Sequence, residues 1–398
     1  MNPNDIVIVA AKRTPIGTLL GSLSSLSVPE LGAYAHRAAI AESGIDPKEI
    51  NEVISGCVLQ AGIGQAPARQ AALKAGIPNT TGATTLNKMC GSGMKAVMFA
   101  HDLIKAGSAD VVLASGMESM SNAPYLLSKA RAGYRFGHGE IKDHMLLDGL
   151  EDVYQPGTAM GCFADITAKE YHFTREQQDA YAVQSMSRTL LSQQNGAFLN
   201  EITPITISTR KGELTISCDE SPDQAKIAKV AQLKPAFSPD GTVTAASSSS
   251  IADGAASLIL MTAAYAAKRG LKPLARIVAH ATHAQEPQWF TTAPITAITE
   301  VLKKADWNVD DVDLFEINEA FAVVTMAAIK ALGLDSDKVN VHGGSCALGH
   351  PIGASGARIL VTLIHALHHH HKKRGIASLC IGGGEATAMA IELVRDHD

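Results

Sequence analysis

The chain is 398 residues long and contains no apolar run that approaches the length of a bilayer crossing. It also has no CxxC pair, and no basic tract beyond Lys372-Lys373-Arg374. These absences exclude a helical membrane protein, a paired-cysteine metal or redox motif, and the electrostatic footprint of a nucleic-acid binder, the last in keeping with a net charge of −5. The opening MNPNDIVIVAAKRTP carries Asp5 and a short strand-like run where a secretory leader has a basic start and a longer apolar core. A cytoplasmic location, with no membrane and no nucleic-acid partner, is therefore expected. The six cysteines, Cys57, Cys90, Cys162, Cys218, Cys346 and Cys380, are scattered through a chain too large to need disulfide staples, and they read as reduced thiols. His368–His371 lies between an apolar helix and Lys372-Lys373-Arg374-Gly375, and reads as a solvated helix end, so no metal site is expected.

Against these absences stands a hydrophobic content of 46%, ample for a large core divided among two or three domains. Strand-like runs at Ile6–Val9, 53–58 and 111–114 alternate with helical patterns at 31–43 and after Cys90. A second series follows: strands at 257–261, 275–279, 314–317, 339–341 and 379–381, with a helix around 298–304. Such alternation predicts an α/β fold with a mainly parallel sheet. The two series are also alike. Ser92-Gly93-Met94-Lys95 opens a buried helix followed by the strand DVVLASGMES, and Ser355-Gly356-Ala357-Arg358 opens another followed by ASLCIGGGE. Two similar halves with a packed seam are expected. Between them, about 121–248, the texture becomes irregular, with a long helix at 175–194 and a hairpin pairing 205–208 with 213–217 around Thr209-Arg210-Lys211-Gly212. An insertion of that length is expected to cover a site.

Cys90 lies in NKMCGSGMKAV, just before a largely apolar helix whose Lys95, Asp102 and Lys105 fall on one stripe. Unsatisfied N–H groups and the positive end of the helix dipole favour a thiolate there, so the sulfur can serve as a nucleophile; taken alone, a lone cysteine at such a place is more often a small apolar filler. Three further segments stand out: Asn318-Glu319-Ala320-Phe321-Ala322 after a strand, and two that are dense in glycine, the stretch from Gly343 through His350 to Gly356 and Cys380-Ile381-Gly382-Gly383-Gly384. His350, held before a proline among glycines, is placed like a presented imidazole, although a loop histidine taken alone is more often structural or solvated.

The ordered set IVIVAAKRTPIG, NKMCGSGMKAV, GMESMSNAPY, GTVTA, DGAA, NEAFA, GHPIGASGAR and CIGGG resembles the thiolase family over nearly the whole chain. That resemblance implies an α/β fold of duplicated βαβαβαββ halves in a layered αβαβα arrangement, with an inserted loop domain. The implied division is 1–120 plus 249–272 for the N-terminal half, 121–248 for the loop domain covering the site, and 273–398 for the C-terminal half. By motif, Cys90 matches the acyl-accepting nucleophile, His350 the base that takes its proton, Cys380 the second cysteine that deprotonates an acetyl group, and Asn318 the holder of a water at the enolate oxygen. The backbone N–H groups of Cys90 and Gly382 match the other oxyanion hole. The implied reaction is reversible Claisen condensation of two acetyl-CoA to acetoacetyl-CoA and CoA, with no permanently bound cofactor and CoA carried by substrate and product. A homotetramer is implied by the same resemblance.

Ser249 matches the family's pantetheine-facing serine, and Met160, Phe237 and Phe321 resemble residues that shape a short acyl pocket. There are departures. Ala159-Met160-Gly161 stands where many biosynthetic members have His-Met-Gly, Gln288–Pro294 replaces a Met-Gly-containing segment, and no arginine near Pro222 offers a nucleotide clamp. Cys346 is expected to pack. The alternatives are a thiolase acting on longer 3-ketoacyl-CoA chains in β-oxidation, a Cys–His hydrolase, and a non-catalytic CoA-binding protein.

Overall fold

Alternate residues along the central strands are apolar on both sides, and this sets the layering. A computed structural model describes residues 1–210 and 212–395. The first half runs β1 (Ile6–Arg13), β2 (Gly17–Thr18), α1 (Val28–Ser43), β3 (Glu52–Gly56), α2 (Pro67–Lys74), β4 (Gly82–Leu86), α3 (Ser92–Lys105) and β5 (Val111–Ser119). The insertion holds β6 (Tyr125–Leu127), β7 (Ile141–Asp143), α4 (Met160–Glu170), α5 (Arg175–Gln194), β8 (Ile205–Thr209), β9 (Gly212–Ile216) and α6 (Gln224–Ile227). Then β10 (Ala252–Thr262) and α7 (Ala263–Arg269) lead to β11 (Ala275–Ala284), α8 (Ala293–Ala305), β12 (Leu314–Ile317), α9 (Ala322–Leu332), α10 (Ser345–Leu348), α11 (Ile352–His369), β13 (Arg374–Ile381) and β14 (Glu385–Leu393).

The main sheet has the order β12-β13-β14-β11-β1-β10-β5-β3-β4, with β2 added to β10. Its midline is a short joint where Val7 faces Arg276 and Ile8 faces Ala275. On either side of that joint the same scheme is played. In the first half β3 is parallel to β5, while β5–β10 and β10–β1 are antiparallel. In the second β12 is parallel to β13, while β13–β14 and β14–β11 are antiparallel, so the sheet is mixed and mainly antiparallel, against the expected mainly parallel one.

One equivalence is incomplete. The expected strand at 339–341 stands where β4 stands in the first half, yet it reduces to a single parallel bridge, Phe315 to Val339. The Asn340 side chain accounts for the loss: its Oδ1 accepts from the Ile317 N–H and its Nδ2 donates to the Ile317 carbonyl, so a side chain takes the place of ladder bonds. The inserted hairpin forms as expected but with Thr209 paired to Gly212. Lys211, at its turn, lies outside the described residues.

Ile6, Ile8, Ile54, Val112, Ala114, Leu258 and Leu260 point to one side of the first sheet, where they meet α3 and α11; from the other half Ile277, Leu314, Leu379, Met389 and Ile391 join the same cluster. The alternate residues Val7, Val9, Val53, Val111 and Leu113 face outward against Ala39 of α1 and Ala72 of α2. Phe315, Ile317, Ile376 and Ala388 face outward against α8 and α9. The layers are therefore helix, sheet, helix, sheet, helix, with α3 and α11 in the middle.

α11 is buried for all but its last two residues, and its buried polar residues Ser355, Arg358, Thr362 and His365 are each hydrogen-bonded inside the core. The central helices meet at glycines. A Cβ on Gly93 would sit 2.6 Å from the Ala357 nitrogen, and one on Gly356 would sit 2.9 Å from the Met94 Cβ. This close approach brings the loops that precede the two helices, with Cys90 and His350, to one cleft.

Candidate active site

The turn that presents Cys90 is strained and over-determined. Met89 has a φ of 48°, a left-handed conformation that costs an L-residue ~1–2 kcal/mol. It is held by three hydrogen bonds: the Met89 N–H donates to Asn87 Oδ1 (2.8 Å), the Lys88 N–H to Ser92 Oγ (2.8 Å), and Ser92 Oγ to the Met89 carbonyl (2.6 Å). Lys88 is paired with Glu385 across the seam. The kink lifts the Cys90 sulfur out of the path of α3, whose first helical residue is Ser92.

The N–H groups of Gly382 and of Cys90 itself both point at that sulfur. Gly382 belongs to the tight connection from β13 to β14, where Gly383 and Gly384 adopt φ of 92° and 89°, and a side chain on Gly384 would enter the backbone at Glu286. Burial outweighs these two donors, and the nearby Glu118 charge adds to it, so the Cys90 thiol is pushed up to about 11. This corrects the expected thiolate: the helix end lowers the cost of the charge, but no cation stands beside the sulfur to offset desolvation.

His350 follows Gly349, whose φ of 102° turns the chain beside Ala252. Its Nδ1 lies 2.5 Å from Ser355 Oγ, and Ser355 Oγ donates its single proton to the Pro351 carbonyl at 3.0 Å. By proton inventory Nδ1 carries the hydrogen, which leaves the lone pair on Nε2. Nε2 is buried and has no hydrogen-bond partner among the described residues. Burial and the Arg358 charge push the imidazole down to about 3, so it is neutral at physiological pH.

Cys380 is wholly buried near the end of β13, among Phe163, Phe290, Phe321 and Val323. Burial, with the neighbouring Cys90 charge, raises its thiol well above the ordinary range. Asn318, one residue past β12, is buried too. Its Oδ1 accepts from Ser345 Oγ (2.6 Å) and from Arg358 (3.3 Å), which fixes the amide with its NH2 group unpartnered. Arg358 is in turn held by Glu316 at 2.8 Å.

Cys90, His350 and Gly382 line a cleft of about 500 Å³, together with Met160, Phe237, Phe321, Ser249 and, from the insertion, residues 146–154. Cys380 and Asn318 stand behind its wall. Phe321 is the centre of an aromatic cluster, edge-on to Phe237 at 5.8 Å and to Phe290 at 6.4 Å. The backbone N–H of Ser249 donates to the Ala320 carbonyl, so its position is fixed by the NEAFA segment. Cys346 packs as expected: it is buried, and its N–H donates to the Glu319 carboxylate.

Sequence reading missed Glu118, Ser355, Ser345 and Arg358. Glu118 accepts from the N–H groups of Val58 (3.0 Å), Leu59 (3.2 Å) and Gly353 (2.9 Å), tying β5 to the start of α11, and burial still pushes its carboxyl up to about 7. The available signal was a carboxylate inside an otherwise apolar strand run, VVLASGMES.

Two neighbouring thiols, a neutral imidazole with an unpartnered nitrogen and two N–H groups at the Cys90 sulfur, beside an apolar cleft, make a candidate acyl-transfer site on a duplicated α/β scaffold. Residues 6–264 match the thiolase N-terminal domain and 271–393 the thiolase C-terminal domain, so the chain belongs to the thiolase family. It is 50% identical over 397 residues to acetyl-CoA acetyltransferase 2 of Arabidopsis thaliana, covering 99% of this chain and 98% of that one. It is 49% identical to an acetyl-CoA acetyltransferase of Allochromatium vinosum, covering 98% of this chain and all of the relative. The crystal structure of the Bacillus anthracis acetyl-CoA acetyltransferase superposes with a TM-score of 0.96 at 43% identity, over 98% and 99% of the two chains. No helix among the described residues is long and apolar enough to cross a membrane.

Proposed function

We propose that the chain is an acetyl-CoA acetyltransferase that condenses two acetyl-CoA to acetoacetyl-CoA and CoA, and runs the reverse thiolysis, through an acetyl group carried on Cys90. The observation that carries this reading is the pairing of Cys90 with a second buried thiol, Cys380, beside a neutral His350. A hydrolase has no use for the second thiol.

In the first half-reaction His350 Nε2 takes the Cys90 proton as sulfur attacks the thioester carbonyl, and returns it to the departing CoA thiolate. The high thiol pKa means that proton transfer accompanies attack. The N–H groups of Cys90 and Gly382 are placed to hold the tetrahedral oxyanion. In the second half-reaction Cys380, once its thiol has given its proton to solvent, removes a methyl proton from the next acetyl-CoA, and that proton passes to the Cys90 thiolate when it leaves. The carbanion attacks the acetyl carbon, and the Cys90 thiolate leaves. Its enolate oxygen is stabilised by the Asn318 NH2 group through water, together with His350. Met160, Phe237 and Phe321 support a short acyl pocket, and Ser249 faces the pantetheine arm. The loop segment 121–248 acts as the cover of the site. The working assembly is a homotetramer and the location cytoplasmic in this reading, with CoA entering and leaving only as part of substrate and product.

Cys380→Ser tests the mechanism. After brief exposure to acetyl-CoA, mass spectrometry is expected to find acetyl on Cys90, while condensation and thiolysis fall by at least about a hundredfold, the scale of losing a positioned base. Unchanged turnover, or acetyl on another residue, would sink the assignment.

A further inference from the structure

The four exposed histidines at the end of α11 do not all face solvent alone. The helix closes at His369 with His370 as its cap residue, and this last turn lies against the loop that holds His342. The His342 ring is 5.4 Å from that of His369 and 5.1 Å from that of His370, and the latter two are 5.0 Å apart. One ring nitrogen of each lies within 4.8 Å of the other two.

His342 is 3% exposed. Its Nε2 faces His370 Nε2 at 3.1 Å, and its Nδ1 is buried without a partner. Phe198 stands edge-on 5.7 Å away, and Thr189 donates to the His342 carbonyl at 3.2 Å, so two elements fix the residue from behind. A buried imidazole usually spends its nitrogens on a carbonyl, hydroxyl or carboxylate. Here the one hydrogen-bond partner among the described residues is another imidazole.

An imidazole ligates a metal ion through the lone pair of its neutral ring. Tetrahedral zinc with bonds of ~2.0–2.1 Å sets its nitrogen ligands ~3.3 Å apart, close to the separation of His342 and His370. His369, on the exposed helix end, is the ligand free to close in. Neutral nitrogen donors with no hard oxygen among them suit a borderline transition-metal ion over magnesium or calcium.

We propose that His342, His369 and His370 form a three-histidine site for a divalent first-row transition-metal ion of the zinc type, with solvent at the fourth position. The ion would clip the last turn of α11 to the loop that continues through Ser345 to His350. The expectation of a simply solvated helix end holds for exposure but misses His342, which the sequence separates from the run by more than a helix.

Cobalt(II) titration of the metal-stripped full chain tests this, since nitrogen ligation gives visible d–d bands without the sulfur charge-transfer band that binding at Cys90 or Cys380 would produce. One saturable equivalent is expected. The double variant His369→Gln/His370→Gln should weaken it at least about tenfold, no less than losing an outer-shell partner costs. The companion His368→Gln/His371→Gln, from the same run, should bind as the native chain does. Absence of saturable binding, a sulfur charge-transfer band as the signal, a smaller loss in the first variant, or an equal loss in the second would each overturn the site.

Discussion

At the residue scale, the reactive thiol is held as a thiol. The feature that makes Cys90 conspicuous in sequence, a cysteine before an apolar helix, predicts a lowered pKa; burial reverses the sign. The pH profile follows. Below about 11 the thiolate fraction of free Cys90 grows tenfold per pH unit, so alkylation by iodoacetamide should climb through the neutral range without a plateau. A plateau near neutrality would show a preformed thiolate–imidazolium pair in place of the neutral pair described above. Rates at several pH values, followed by mass spectrometry at Cys90, decide between them. Cys90, His350 and Cys380 were legible because glycines flank them, and Asn318 by motif order. Ser355 and Ser345 were not, because a serine that orients another side chain carries no local pattern of its own.

At the element scale, α3 and α11 were both readable as buried helices, and their equivalence was visible in Ser92-Gly93 and Ser355-Gly356. What the pattern did not reveal is that these glycines touch the opposite backbone. A methyl group on Gly93 would press on the Ala357 nitrogen and Cβ, neither of which can rotate away. Gly93→Ala should therefore lower stability by ~1–3 kcal/mol, the range for overpacking a core, and depress activity by displacing Cys90. Urea midpoints and turnover of the purified variant check both; a variant as stable as the parent would mean the helices can separate cheaply. The strand expected at 339–341 failed for a different reason. Apolar β-branched residues were present, but the deciding group, Asn340, is polar and bonds to a strand 23 residues earlier. Such long-range side-chain substitution for a ladder leaves no periodic trace.

At the scale of the whole molecule, the insertion is fastened by a charge. Arg13 at the end of β1 is fully buried, with its Nε 2.5 Å from Glu201 and its terminal nitrogens 2.7 and 2.9 Å from Asp219, while Phe198 stacks 5.1 Å from the guanidinium. Replacing Arg13 by Met would strand two buried carboxylates. The loss expected from breaking such a pair is ~3–5 kcal/mol. A denaturation midpoint that moves by less than about 1 kcal/mol equivalent would mean that water reaches the site and the network is worth no more than an exposed pair. The alternation of strands and helices and the two-half design could be read from the sequence, whereas this fastening could not, since Arg13 sits in a run that also reads as plain strand.

The shared central core has a consequence in time. Ile6 and Leu393 belong to one cluster, and α11 lies between the two sheets. While the chain is being synthesised, the inner face of the first sheet and the apolar flank of α3 have nothing to rest on until the last helix and strands arrive. Closure must wait for contacts of very large sequence separation, which are slow to form and leave an unfinished chain prone to stick to its neighbours. A nascent copy halted before α11 is therefore a natural client for chaperones that shield apolar faces.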